Sequence, residues 1–125
     1  MNNYKKSKLE DPLYLAKKMI KYPSVTPRDE GILLYLEEIL KELGFKCYRM
    51  PSGKKHQTGK NALVNNLYAV RGKGKNLCFA GHVDVVPPGD VSSWNFPPYK
   101  SKVHNGFLYG RGASDMKGAI ASFVA

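Results

Sequence analysis

Apolar positions recur at helical spacing twice in the first third of the chain. Asp11-Pro12 supplies a side-chain acceptor followed by proline, the arrangement that opens a helix. Leu13, Ala16, Lys17 and Ile20 keep the helical interval until Pro23 and Pro27 stop it. The second pattern is stronger. Residues 29–43 carry Ile32, Leu33, Leu36, Ile39, Leu40 and Leu43 as one apolar stripe, and Gly44 ends it. The period then falls to two. Residues 45–50 predict a strand with Cys47 and Arg49 alternating against Lys46 and Tyr48. Residues 51–65 are polar and turn-rich, which predicts an exposed loop.

Residues 66–70 and 76–80 predict two further strands, joined as a hairpin through Arg71-Gly72-Lys73-Gly74-Lys75. That link lacks the spacing of a phosphate-binding loop and no helix follows it, so it is read as a turn. Residues 81–101 form a Pro- and Gly-rich loop containing Trp94, residues 107–109 predict a short strand, and residues 116–125 begin an apolar helix without a cap or stop signal. Helices and strands in this order predict an α/β fold, with a mixed sheet flanked by helices.

Composition narrows the function classes. A chain of 125 residues with 42% hydrophobic content fits one domain, residues 1–125, with a modest core. The formal charge of +10 raises nucleic acid or an acidic membrane as partners. The basic residues, however, are spread along the whole chain, and the one short cluster is Lys5-Lys6-Ser7-Lys8. That distribution predicts a solvated surface, with no nucleic-acid partner. There is no apolar run of bilayer length and no apolar segment behind the first lysines, so a soluble protein with no membrane contact is expected. Cys47 and Cys78 form no CxxC pair, which fits a reducing, cytoplasmic compartment. Both lie in apolar runs and are expected to be buried, inert thiols. His56 and His104 lie in polar, turn-like stretches and are read as surface residues.

The acids are more informative. From Asn61 onward only Asp84, Asp90 and Asp115 occur. In Ala80-Gly81-His82-Val83-Asp84, residues i and i+2 of an extended chain point to one side, so His82 and Asp84 can face one cavity. The pair follows an apolar strand-like run, at the carboxyl end where open α/β sheets place ligands. Imidazole is a good zinc ligand, and a ligating histidine usually gives its other N–H to a carboxylate. Asp84 is therefore either that carboxylate or itself a ligand; alone, His-x-Asp is a weak signal. The second stretch, Tyr109-Gly110-Arg111-Gly112-Ala113-Ser114-Asp115-Met116-Lys117-Gly118, surrounds one aspartate with three glycines. Such a path can deliver the carboxylate into a crowded site. The alternative is a plain helix N-cap at Asp115.

Taken together, these stretches resemble a family. Phe79-Ala80-Gly81-His82-Val83-Asp84-Val85-Val86-Pro87-Pro88-Gly89-Asp90 is similar to the metal-binding signature of the succinyl-diaminopimelate desuccinylases. Trp94, Pro97-Pro98-Tyr99 and the Gly110–Gly118 run follow in that family's order, with Asp115 33 positions after His82. The G-H-x-D and D-M-K-G cores are shared with acetylornithine deacetylases, aminoacylases and related carboxypeptidases. The Val-Val-Pro-Pro-Gly-Asp segment favours the desuccinylase.

The resemblance implies a zinc-peptidase-like catalytic domain. In it His82 would be a terminal ligand of one zinc, Asp115 would bridge two zincs, and Asp84 would take a catalytic role by holding the His82 ring. It implies Zn2+ as cofactor, two per complete site with Co2+ as a substitute, and a cis peptide after Asp115. The implied substrate is a succinylated amino acid, N-succinyl-LL-2,6-diaminopimelate. The family also uses a Glu-Glu pair, a further acidic ligand, a late histidine and a dimer-forming lid domain. None of these can be placed here. The resemblance thus implies the truncated front part of a homodimeric enzyme, inactive alone and completed by a separately encoded C-terminal part. A different acyl group, or a non-catalytic remnant serving as an interaction module, remain as alternatives.

Overall fold

The computed structural model describes residues 8–54 and 62–125. His56 and part of the expected 51–65 loop lie outside the described residues.

The first helix, α1, spans Pro12–Ile20 and begins as its sequence predicts: Asp11 Oδ1 accepts from the amides of Leu13 at 2.9 Å and Tyr14 at 3.1 Å. Its buried face is Leu15, Ala16, Met19 and Ile20, whereas Leu13 is exposed. The stripe is thus rotated from the expected one, because Leu15 and Met19 together meet the neighbouring helices. Helix α2, Ile32–Glu42, buries Ile32, Leu33, Leu36 and Ile39. It starts at the first residue of the apolar stripe, three residues after the expected start at Asp29. Asp29 Oδ1 accepts from the Gly31 amide at 2.8 Å, and Glu30 and Gly31 take positive φ, so the chain turns before it coils. Ile120 and Ala121 of the short α3, Gly118–Val124, pack on α1 and complete one apolar cluster shared by the three helices.

Strand pairing departs most from expectation. Strand β1, Lys46–Arg49, pairs antiparallel with β2, Leu67–Val70, in the register Lys46↔Val70 to Arg49↔Leu67. The ladder continues into the presumed loop, where Ser52 and Val64 exchange two backbone hydrogen bonds of 2.8 Å. On the outer face of α2, Glu37 accepts from Lys41 Nζ and from Arg49 Nε, both at 2.6 Å, which ties β1 to the helix. The expected hairpin between residues 66–70 and 76–80 does not form. Residues 77–80 carry no regular secondary structure and join no sheet among the described residues, and Leu77 is 89% exposed. Cys78 is consequently exposed rather than buried, and Cys47 is only partly covered.

A small hairpin that the sequence reading half missed joins β3, Lys102–His104, to β4, Phe107–Tyr109. Asn105 and Gly106 both adopt positive φ between the strands, as a tight hairpin turn requires. His104 lies exposed on β3, with its ring 5.3 Å from that of Phe96. The architecture is α/β as expected, with two separate two-stranded sheets among the described residues in place of one mixed sheet.

Candidate metal centre

Two backbone segments meet to form the site. The first is the run that leaves residue 80 and carries His82 and Asp84. The second is the wide turn Ala113–Lys117, inside which Asp115 (φ −127°, ψ 96°) and Met116 leave helical geometry. The Asp115–Met116 peptide is cis. Two glycines make that turn possible. Gly112 sits at φ +83°, and a Cβ there would lie 2.7 Å from Val85 Cγ1. At Gly118 a Cβ would come 2.5 Å from the Ala113 carbonyl oxygen. The plain N-cap alternative for Asp115 fails, because neither the turn nor α3 receives a side-chain cap.

Asp115 instead turns toward the histidine. His82 Nε2 lies 2.9 Å from Asp115 Oδ1, while Nδ1 lies 3.1 Å from the Asp84 carbonyl and 3.3 Å from Asp84 Oδ1. Both ring nitrogens therefore face acceptors. A neutral imidazole carries one N–H and satisfies one side only. The arrangement is balanced by a second proton on the ring or by a cation between Nε2 and Asp115. In keeping with this, the His82 pKa is raised above the ordinary histidine value, first by the Asp84 carbonyl and then by Asp115, against the opposing effect of desolvation. With Nδ1–H given to Asp84, the Nε2 lone pair and the Asp115 carboxylate form a nitrogen–oxygen donor pair suited to zinc. That chemistry fits a metal as far as two ligands go. Among the described residues no third histidine, cysteine or carboxylate joins them.

An open cleft of 260 Å³ lies over the pair, walled by Val85, Val86, Arg111 and Ser114. Its rim is held by contacts that the sequence reading did not anticipate. The Arg111 guanidinium lies 5.1 Å from the Trp94 ring centroid, and Trp94 Nε1 donates to the Pro88 carbonyl at 3.0 Å. Trp94 and Arg111 thereby pin the Pro87-Pro88 loop beside the cleft. Asp90, by contrast, serves its own turn: it accepts from the Ser92 amide at 2.9 Å and from both neighbouring serine hydroxyls.

Beneath the site Lys117 is fully buried, and its Nζ donates to the Tyr22 carbonyl at 2.8 Å. Burial pushes its pKa down to about 8, against the opposing pull of Asp84. The segment after α1 is bound to the same place. Ser24 Oγ donates to the Val83 carbonyl at 2.6 Å, the Val85 amide donates to the Ser24 carbonyl at 2.9 Å, and Thr26 Oγ1 donates to Asp84 Oδ2 at 2.5 Å. Pro23 and Pro27 had marked this segment only as the end of a helix. A lysine two positions after Asp115 in a glycine-rich run was the one available hint for Lys117.

Comparison with known proteins follows the same line. Residues 78–125 match the family described as peptidase family M20/M25/M40. Curated succinyl-diaminopimelate desuccinylases from Rhodospirillum centenum and from Caulobacter vibrioides are 49% and 50% identical over 116 residues. That alignment takes in 92% of this chain but only 29% and 28% of theirs, so the chain spans under a third of the length of these relatives. Human carnosine dipeptidase 1 superposes with a TM-score of 0.76 over 97% of this chain and 28% of its own, at 24% identity, a likeness of fold. An M20 family metallo-carboxypeptidase from Sulfolobus solfataricus is 31% identical, with a TM-score of 0.65 over 90% of this chain and 25% of its own. By sequence the chain is thus similar over most of its length to the succinyl-diaminopimelate desuccinylases, its residues 78–125 match the M20/M25/M40 peptidases, and its fold is shared with an M20 family metallo-carboxypeptidase.

Proposed function

We propose that these 125 residues form part of the catalytic domain of a metal-dependent amide hydrolase of the succinyl-diaminopimelate desuccinylase kind. The observation that supports it is the His82 ring held between Asp84 and Asp115, with acceptors on both nitrogens. In this reading His82, through Nε2, and Asp115 would hold the zinc ions. Asp84 acts through the other ring nitrogen, fixing the tautomer that leaves Nε2 free. When bound, the two cations supply polarisation of the amide carbonyl and activation of the attacking water, with Co2+ able to replace Zn2+. The substrate is N-succinyl-LL-2,6-diaminopimelate. Water breaks its amide C–N bond to give succinate and the free amine of LL-2,6-diaminopimelate.

The cleft over His82 and Asp115 is where the succinyl amide is presented. The carboxylates that line the cleft, Asp84 and Asp115, both already face His82, which leaves neither to take a proton from water. The general base and the remaining ligands therefore come from outside these residues, on a polypeptide that completes the domain. The two unpaired cysteines favour a cytoplasmic setting, and no helix among the described residues is long and apolar enough to cross a membrane.

Zinc titration of the chain, followed by an assay for succinate release, tests this reading. Weak zinc binding that shifts the His82 ring signals and is lost in His82→Ala, with no turnover by the chain alone, is the expected result. Tight binding of two zincs by the chain, or succinate release that disappears in His82→Ala, would show that the chain needs no completing part. Zinc binding that ignores both His82→Ala and Asp115→Asn would remove the metal-site reading itself.

A further inference from the structure

We propose that Thr26 is a positioning residue for the candidate metal ligands, a role that rests on the metal-site reading above. Its hydroxyl anchors Asp84 so that this residue presents both its carbonyl and Oδ1 to His82 Nδ1, which aims Nε2 at Asp115. The side chains of His82 and Asp84 are 47% and 50% exposed, so packing alone leaves either of them free to change rotamer. Asp84 has a fixed orientation because its second carboxylate oxygen is taken. A carboxylate can only accept, so Thr26 Oγ1 is the donor in the 2.5 Å contact with Oδ2. With Oδ2 tied, Oδ1 remains 3.3 Å from Nδ1, and the carbonyl of the same residue lies 3.1 Å from it.

Thr26 comes from 58 positions earlier in the chain, and it is itself held in place. Residues 22–25 grip both halves of the site. Ser24 bonds the Val83 carbonyl and the Val85 amide, an isolated parallel bridge joins Val25 to Val85, and Lys117 holds the Tyr22 carbonyl from the Asp115 side. The segment is therefore a brace between the His82 run and the Asp115 turn, and Thr26, which follows it, is the side chain that reaches the carboxylate facing His82. Thr26 is exposed, so removal of its hydroxyl leaves the apolar core intact.

The test compares Thr26→Val, which keeps the shape and loses the donor, with Thr26→Ser, which keeps the donor. Two quantities are read on the full chain: zinc affinity, and the tautomer of the neutral, metal-free His82 ring by 15N NMR. Thr26→Val is expected to weaken zinc binding about 10-fold, the low end for loss of a group that orients a metal ligand. The low end applies because the Asp84 carbonyl still faces Nδ1. The same variant is expected to shift the ring away from the Nδ1–H tautomer, and Thr26→Ser is expected to restore both. A Thr26→Val chain that is folded by its amide dispersion and keeps the wild-type tautomer overturns the proposal. So does a Thr26→Ser chain that behaves like Thr26→Val. The tautomer readout needs no metal, so a failure of the hydrolase reading, seen as no zinc effect on His82 in the wild type, is distinguishable from a failure of this one.

Discussion

Two apolar runs in the middle of the chain, Leu67–Val70 and residues 77–80, share the same strand-forming composition and meet different ends. The first is paired residue for residue with β1, and its neighbour α2 covers it. The second has no ladder among the described residues, with Leu77 in solvent and Phe79 stacked on Phe123 of α3 at 4.4 Å between ring centroids. Strand propensity is largely a measure of fit to a pleated, half-covered surface. Where β1 supplies that surface the run becomes a strand. Where no strand lies beside it, the same kind of sequence stays an unpaired edge, the form most open to further pairing. His82 follows directly on this unpaired run, so the candidate site is built at the less supported of the two.

The largest effect that separates the two regions is expected from core truncation. Ile32→Ala, at a position with no solvent exposure on α2, should cost about 2–5 kcal/mol and lower the Tm of the chain sharply, measured by thermal melting. A loss of only a few tenths would mean that the α2 side is no better packed than the edge. A smaller difference is expected in amide exchange. The amides of β2 that bond to β1 should exchange roughly fivefold or more slowly than those of residues 78–80, since a single backbone hydrogen bond is worth about 1 kcal/mol. Equal protection of the two runs would show that residues 77–80 are paired in solution, through self-association or otherwise. The smallest effect belongs to Leu77→Ser, which should change stability by no more than about 0.5 kcal/mol. It should reduce self-association on sizing at high concentration. A clear drop in Tm would place Leu77 in a packed environment and dissolve the contrast.

Local signals were legible where the chemistry was local. The Asp11 cap, the α2 stripe and the positive-φ pair Asn105-Gly106 are each dictated by neighbouring residues, although the last was not read as a hairpin turn. His82, Asp84 and Asp115 stood out because glycines and spacing surround them, and the structure brings the three together within hydrogen-bonding reach. The start of α2 was expected three residues early, at Asp29, because Asp29 holds a turn through the Gly31 amide; the apolar stripe itself begins where the helix does, at Ile32. The exposed Cys78 follows from the same missing ladder as Leu77.

What the sequence determined by itself was the set of helices, the α/β class and the identity of the chemically distinctive residues, because these depend on intervals of a few positions. The tertiary structure decided which strand pairs with which, and it decided what holds the site. Thr26, Ser24 and Tyr22 reach Asp84, Val83 and Lys117 across 58 to 95 positions of sequence. No periodicity records such a contact, since it exists only once α1 and α3 have packed and carried the two segments to the same place.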